Sequence, residues 1–273
     1  MAVVDVKYNT HSFQTTSVKK SQIITRDIMF EHIADKTLMR KEDSIRNGFS
    51  ILDDRYSHKI ITLRGWLISD TPEHFREHID TVKGYLRPNE KDLDIETYGG
   101  SPEWRRYIAS CQSLTIESEH WMSTQSPYEA TFLAQPFGKA TDSTPITLGS
   151  NETKNFEKTF TIAGSYRAKP TITFTMTLGD NLTTIKLEND TNDDWIQVTK
   201  TALPDDVFKD DDQLIINCDS ETVQVLRSGT YTNVDFTGIF PQLDVGENTL
   251  KITLTKSNGV QITATLSYYA TYL

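Results

Sequence analysis

From Thr171 to Leu178 the chain reads Thr-Ile-Thr-Phe-Thr-Met-Thr-Leu, a strict alternation of hydroxyl and apolar side chains. Successive side chains of an extended chain point to opposite faces. The pattern therefore puts Ile172, Phe174, Met176 and Leu178 on one face and the threonines on the other. A helix would scatter the same residues around its circumference. The stretch is predicted as a half-buried antiparallel strand, and Gly179-Asp180-Asn181 after it has turn chemistry. Further strands are predicted at residues 183–187, 195–199, 213–217 and 222–226. Leu250, Ile252 and Leu254 alternate before Ser257-Asn258-Gly259, and Val260, Ile262, Ala264 and Leu266 alternate after it. Asn-Gly between two alternating runs predicts a closing hairpin. Many short strands without a helical period predict a β-sandwich for this half of the chain.

The first half is mixed. Residues 59–68 read as a strand, and a helix follows over residues 71–86. Asp70 or Thr71 can cap it, Pro72 suits its first turn, and Glu73 favours the positive end of its dipole. Phe75, Ile79, Val82 and Leu86 recur at spacings of four, three and four, which draws one apolar stripe. Pro88 stops the helix. Strands are predicted again at 93–98, 107–117 and 128–132, whereas 27–46 fits a short helix as well as a strand and loop. The fold class is thus mainly β with one packed α-helix. A boundary is predicted at 138–150, where Gly138 to Pro145 is small, polar and closed by a proline. The domains expected are residues 1–140 and 146–273.

Charge narrows the functions. The 273-residue chain has a formal net charge of −10. Residues 1–143 carry 18 basic and 21 acidic side chains, and the remainder carries 10 and 17. Such a surface does not grip nucleic acid through a basic face, but it would let DNA slide past. No apolar run approaches the length of a membrane span, and the N-terminus lacks the pattern of a secretory signal, so folding in a cytoplasm is expected. Cys111 and Cys218 have no metal or redox spacing and read as buried thiols. The sequons at Asn151, Asn181 and Asn189 are then expected to stay unmodified.

Few residues suggest chemistry. His74-Phe75-Arg76-Glu77-His78 matches HxxEH, which on a helix puts two imidazoles one turn apart. No downstream Glu stands out as a third ligand, and Phe75 belongs to the core stripe, so a solvated helix flank is the plainer reading. Asp190 to Asp194 and Asp205 to Asp212 concentrate carboxylates that read as solvated acidic loops, or as oxygen ligands that could hold calcium. The first run opens like an EF-hand, yet Trp195 stands at the sharp-turn glycine and Thr201 at the bidentate glutamate. Trp195, with Tyr231, Tyr268 and Tyr269, could form a sugar-stacking platform. There is no phosphate-binding glycine loop, no GxSxG and no nucleophile paired with a base, so no catalytic residue, cofactor or metal ligand is assigned.

Four stretches together resemble the distal tail protein (Dit) family of long, non-contractile-tailed bacteriophages. Residues 46–49 through 60–65 look like the family's strand leading into its single helix, and residues 71–86 are similar to that helix. Tyr128-Glu129-Ala130-Thr131-Phe132 through Pro136-Phe137-Gly138 resembles the end of its N-terminal domain. Most specific is the run from Gly238 to Asn248, in which Phe240, Pro241, Leu243, Gly246 and Asn248 resemble the family's turn before the last strands. The resemblance implies a tail-tube-like N-terminal domain that closes as a homohexameric ring, and a galectin-like or carbohydrate-module-like C-terminal sandwich. It implies a virion structural protein, not an enzyme, at the distal end of the tail. Its expected partners are the tail tube protein, the tail tip or baseplate hub or tail-associated lysin protein, and receptor-binding proteins. DNA is expected to pass through the lumen without specific binding, and no membrane is involved. The alternative is a lectin-like module for attachment to host-surface carbohydrate through Trp195. A metal-dependent hydrolase resting on HxxEH is the third possibility.

Overall fold

The computed structural model describes residues 5–14, 21–30, 36–42, 49–87, 89–97, 103–117, 122–178, 181–256 and 259–273, with the backbone alone at 30, 36–42, 49–55 and 97. The expected turn residues Gly179, Asp180, Ser257 and Asn258 lie outside these. So do Pro88, Tyr98 and the stretch 46–48. The chain divides into two compact units, Met1–Thr141 with Leu273, and Asp142–Tyr272.

The first unit contains β1 (Val6–Tyr8), β2 (His11–Ser12), β3 (Ser21–Phe30), β4 (Lys36–Glu42), β5 (Phe49–Tyr56), β6 (Lys59–Ser69), α1 (Pro72–Leu86), β7 (Lys91–Thr97), β8 (Glu103–Ile116), β9 (Gln125–Ala134) and β10 (Gly138–Ala140). Its main antiparallel sheet runs in the order β2-β1-β7-β8-β9-β6-β3, with β10 pairing β8. Strands β4 and β5 pair with each other in a separate two-stranded ribbon between β3 and β6. The ambiguous stretch 27–46 is thus strand wherever it is described.

The helix starts as its sequence predicts. Thr71 Oγ1 accepts the His74 N–H at 3.2 Å, so Thr71 and not Asp70 is the cap. Phe75, Val82 and Leu86 are buried and Ile79 packs against the same core. The core lies between this stripe and the sheet, with Leu63, Leu67, Tyr107 and Phe132 among its buried members. Gly65 is required in β6, because a Cβ there would lie 1.9 Å from Ile24 O. That close approach accompanies a register shift in β3 between Thr25 and Asp27.

The second unit contains β11 (Thr144–Glu152), β12 (Phe156–Ile162), β13 (Thr171–Leu178), β14 (Leu182–Asn189), β15 (Asp194–Thr199), β16 (Gln213–Asn217), β17 (Thr222–Arg227), β18 (Thr230–Asn233), β19 (Thr237–Gly238), β20 (Gly246–Lys256) and β21 (Gln261–Tyr268). Two antiparallel sheets run β11-β21-β13-β16-β17-β18 and β12-β20-β14-β15-β19. Each buries one face: Ile172, Phe174 and Met176 in the first, Ile185, Leu187 and Ile252 in the second. This is the expected sandwich. Leu178 departs from the alternation and is exposed, beyond a register shift at the end of β13.

Two expectations are corrected. The closing hairpin does not form. β20 pairs with β12 and β14, whereas β21 pairs with β11 and β13, so the two strands lie in opposite sheets. Alternation requires only that each strand bury one face, and Leu250, Ile252, Ile262 and Leu266 all do so. It does not say which neighbour completes the hydrogen bonds. The linker is also shorter than predicted, because Gly138–Ala140 and Thr144–Glu152 are strands. Pro145 is tolerated because β11 stands at the end of its sheet.

Candidate functional site

The run from Gly238 to Asn248 passes from the end of β19 to the start of β20. Gly238 has φ +109°, and a Cβ there would lie 2.2 Å from Trp195 O. Glycine lets the chain press against β15, where Ile239 N–H donates to Trp195 O at 2.7 Å. Phe240 is half-buried with its ring edge-on to Phe236, centroids 4.8 Å apart. Pro241 and Leu243 are buried, and Leu243 exchanges both backbone hydrogen bonds with Ala168 at 2.9 and 3.0 Å. Gly246 has φ +98°. Asn248 is fully buried and closes the turn. Its Oδ1 accepts Asp244 N–H at 3.0 Å, and its Nδ2 donates to Asp244 O at 2.6 Å and Gly246 O at 3.2 Å.

The five turn residues therefore form one structural unit, braced from outside. Asn189 is fully buried, and its Nδ2 donates to Gln242 O at 2.7 Å. Asn192 Nδ2 donates to the same oxygen at 2.9 Å, and Asp194 accepts Gln242 N–H at 3.3 Å. Arg167 pairs with Asp244 at 2.7 Å. Sequence reading missed this brace. Asn189 reads in the sequence only as a sequon, and its side chain is occupied by Gln242. The brace leaves Trp195, Phe236, Ile239 and Val245 exposed at 38%, 38%, 66% and 48%.

Trp195 does not share a platform with the tyrosines. It lies in the five-stranded sheet, with Lys186 Nζ 5.1 Å from its ring centroid. Tyr231 is on β18, Tyr268 is buried at the end of β21, and β18 and β21 are separated by three strands.

The acidic stretch 205–212 is organised around an internal cation. Asp212, 1% exposed, receives both arms of Arg227, Nε to Oδ1 at 2.8 Å and Nη2 to Oδ2 at 2.7 Å. The same guanidinium donates to Pro204 O and Val207 O, and Asp205 pairs with Lys209 at 2.7 Å. Hydrogen bonds from Lys209 hold the Asp205 carboxyl below its usual range. Two of the carboxylates in this stretch, Asp205 and Asp212, are thus engaged by Lys209 and Arg227. Among the described residues no group of three or more His, Cys, Asp or Glu side chains is placed to hold a metal ion.

The HxxEH histidines border a cleft of about 490 Å³ that His11, Glu77 and Tyr85 also line. His74 is bonded through Nδ1 to Asp70, and His11 stacks on Tyr85 with centroids 3.6 Å apart. Burial pushes the His78 imidazole below its ordinary pKa. Neither thiol is poised to react: burial raises Cys111 and pushes Cys218 up to about 12.

With this geometry in hand, comparison with known proteins points one way. Residues 163–272 match the family model described as the siphovirus-type tail component, C-terminal domain. The crystal structure of SPP1 Dit (gp 19.1), described as a paradigm of the hub adsorption apparatus in phages infecting Gram-positive hosts, superposes with a TM-score of 0.71. That match covers 100% of both chains at 12% identity, a likeness of fold. A chain of the activated phage p2 baseplate with calcium gives a TM-score of 0.46 at 13% identity, covering 98% of each chain. No curated protein matches this sequence.

Proposed function

We propose, from the premise that the chain is a siphovirus-type tail component of the Dit family, that it closes into a homohexameric ring joining the phage tail tube to the tail tip or baseplate. The observation that carries this reading is the Dit fold over the whole chain, together with the tail-component domain in its second unit. The first unit supplies the ring and the second presents loops to neighbouring tip proteins, receptor-binding proteins among them. Its work is mechanical, not enzymatic. DNA passes a lumen that does not hold it, in keeping with a net charge of −10. The protein's place is the distal end of the tail, after synthesis in the host cytoplasm.

One surface of the first unit suits self-association. Leu133 pairs with Ile60 and Ser110, and Met29 pairs with Thr62. Period-two alternation puts Ile108 on the same outward face. Met29, Ile108 and Leu133 are exposed at 45%, 41% and 37%, and a second copy would cover them. Changing Ile108 and Leu133 to Glu together should convert a hexamer to a monomer in sedimentation velocity. An unchanged hexamer in that variant would remove this face from the ring contact. The lectin alternative now stands on Trp195 alone, and specific binding on a glycan array by a chain that never oligomerises would favour it.

A further inference from the structure

We infer that β2 is an acid-released latch on α1: uptake of a proton by His78 frees β2 from the helix while the rest of the sheet stays paired. The inference is independent of ring formation.

Strands β2 and β3 are the two ends of the first unit's main sheet, and they nearly meet. Gln14, two residues beyond β2, forms an isolated antiparallel bridge with Ile24 of β3. Gln14 Oε1 accepts Thr25 N–H at 3.1 Å, and Thr25 Oγ1 donates to Phe13 O at 2.8 Å. Beside this seam is the cleft of about 490 Å³ between β2, β3 and α1. Its titratable groups are His11 from β2 and His74, Glu77, His78 and Tyr85 from α1, whereas β3 contributes only Ser21 and Ile23. His11 ties β2 to the helix through its stack on Tyr85.

His78 is the weak point of this cleft. Its Nδ1 is buried and has no hydrogen-bond partner among the described residues. The neutral ring can carry its proton on Nε2, which leaves Nδ1 only an unused acceptor. A second proton turns Nδ1 into a buried N–H on a cation, and that needs an acceptor or water. The nearby hydroxyls are committed elsewhere: Ser12 to Asp5 at 2.9 Å, Ser69 to Ser21 at 3.0 Å and Thr81 to Glu77 O at 2.7 Å. Of the carboxylates, Asp70 is bonded to His74, and Glu77 is exposed. Glu77 also leaves the helix roughly 100° round from His78. Burial accordingly lowers the pKa of the His78 imidazole, so the charged ring favours any opening that admits water to it. The element that gives way is β2. The helix is fixed by Phe75, Val82 and Leu86 in the core, whereas β2 is two residues long. The turn that joins β2 to β1 is strained as well. Asn9 and Thr10 have φ +48° and +71°, and threonine is branched at Cβ.

The test is amide hydrogen exchange of the full chain at pH 7.5 and pH 5.5, read as protection factors. The reporting amides are Phe13, bonded to Val6 O, Gln14, bonded to Ser12 Oγ, and Thr25, bonded to Gln14 Oε1. One proton taken up on opening should lower their protection roughly tenfold between the two pH values, with the amides of β8 and β9 unchanged. His78→Leu and His78→Gln, one apolar and one polar but neither titrating, should each abolish the fall. His11→Phe, which keeps a ring on Tyr85, and His74→Gln should retain it. Protection that does not change with pH, or an equal fall across β8 and β9, would overturn the inference. So would a fall that survives in both His78 variants or disappears in His11→Phe.

Discussion

At Asn248 three hydrogen bonds close on one fully buried carboxamide, and two of them are donated to the backbone carbonyls of Asp244 and Gly246. Asn248→Ala should cost about 2–3 kcal/mol, since it strands those groups and loses three bonds at once. Chemical denaturation of the full chain would measure this, and a loss below about 0.5 kcal/mol, the size of a surface substitution, would mean the turn is held by its backbone alone. Tyr128 makes a different prediction. It is 3% exposed, its hydroxyl is bonded to Thr25 Oγ1 at 2.8 Å, and burial pushes its pKa up to about 12. The folded state therefore keeps a proton that the unfolded chain releases near pH 10. The stability this provides is complete below pH 10 and is lost as pH rises through 12, up to about 2–3 kcal/mol. A denaturation series from pH 9 to 12 should show the fall, and Tyr128→Phe should flatten it. A turn here was legible in the sequence because Gly246 and Asn248 have turn chemistry. Its brace was not, because Asn189 and Gln242 are 53 positions apart and neither has a distinctive neighbour.

At the scale of elements, period carries most of what could be read. The stripe Phe75, Ile79, Val82 and Leu86 located α1, and Thr-X alternation located β13, because helix and strand bury different spacings. Pairing was less legible. β20 and β21 alternate as hairpin strands would, yet each completes a different sheet, because two facing sheets both reward alternation. The acidic loop before β16 reads in sequence as a solvated loop or a calcium site, and the cation its Asp212 meets is Arg227 on β17. Arg227→Met should destabilise the second unit by about 3–5 kcal/mol, because it leaves Asp212 buried without its partner. Adding Asp212→Asn should recover part of the loss. Millimolar calcium should not shift the melting temperature of the unmodified chain, and a clear upward shift would show that the loop admits a metal after all.

For the whole molecule, the sequence predicts a boundary at 138–150 and a mainly β architecture; the chain divides after Thr141 and has the Dit fold throughout. A surface for the proposed self-association is harder to read, because an exposed Met29 or Leu133 looks in sequence like any other strand residue until register puts them on one face. The central claim is that the chain acts as a ring. Negative-stain electron microscopy of the purified full-length protein, with its mass in solution, tests it most directly. The account predicts a six-fold ring with a central hole, near six times 31.1 kDa. A uniform monomer at every concentration, also in the presence of assembled tail tube, would contradict it.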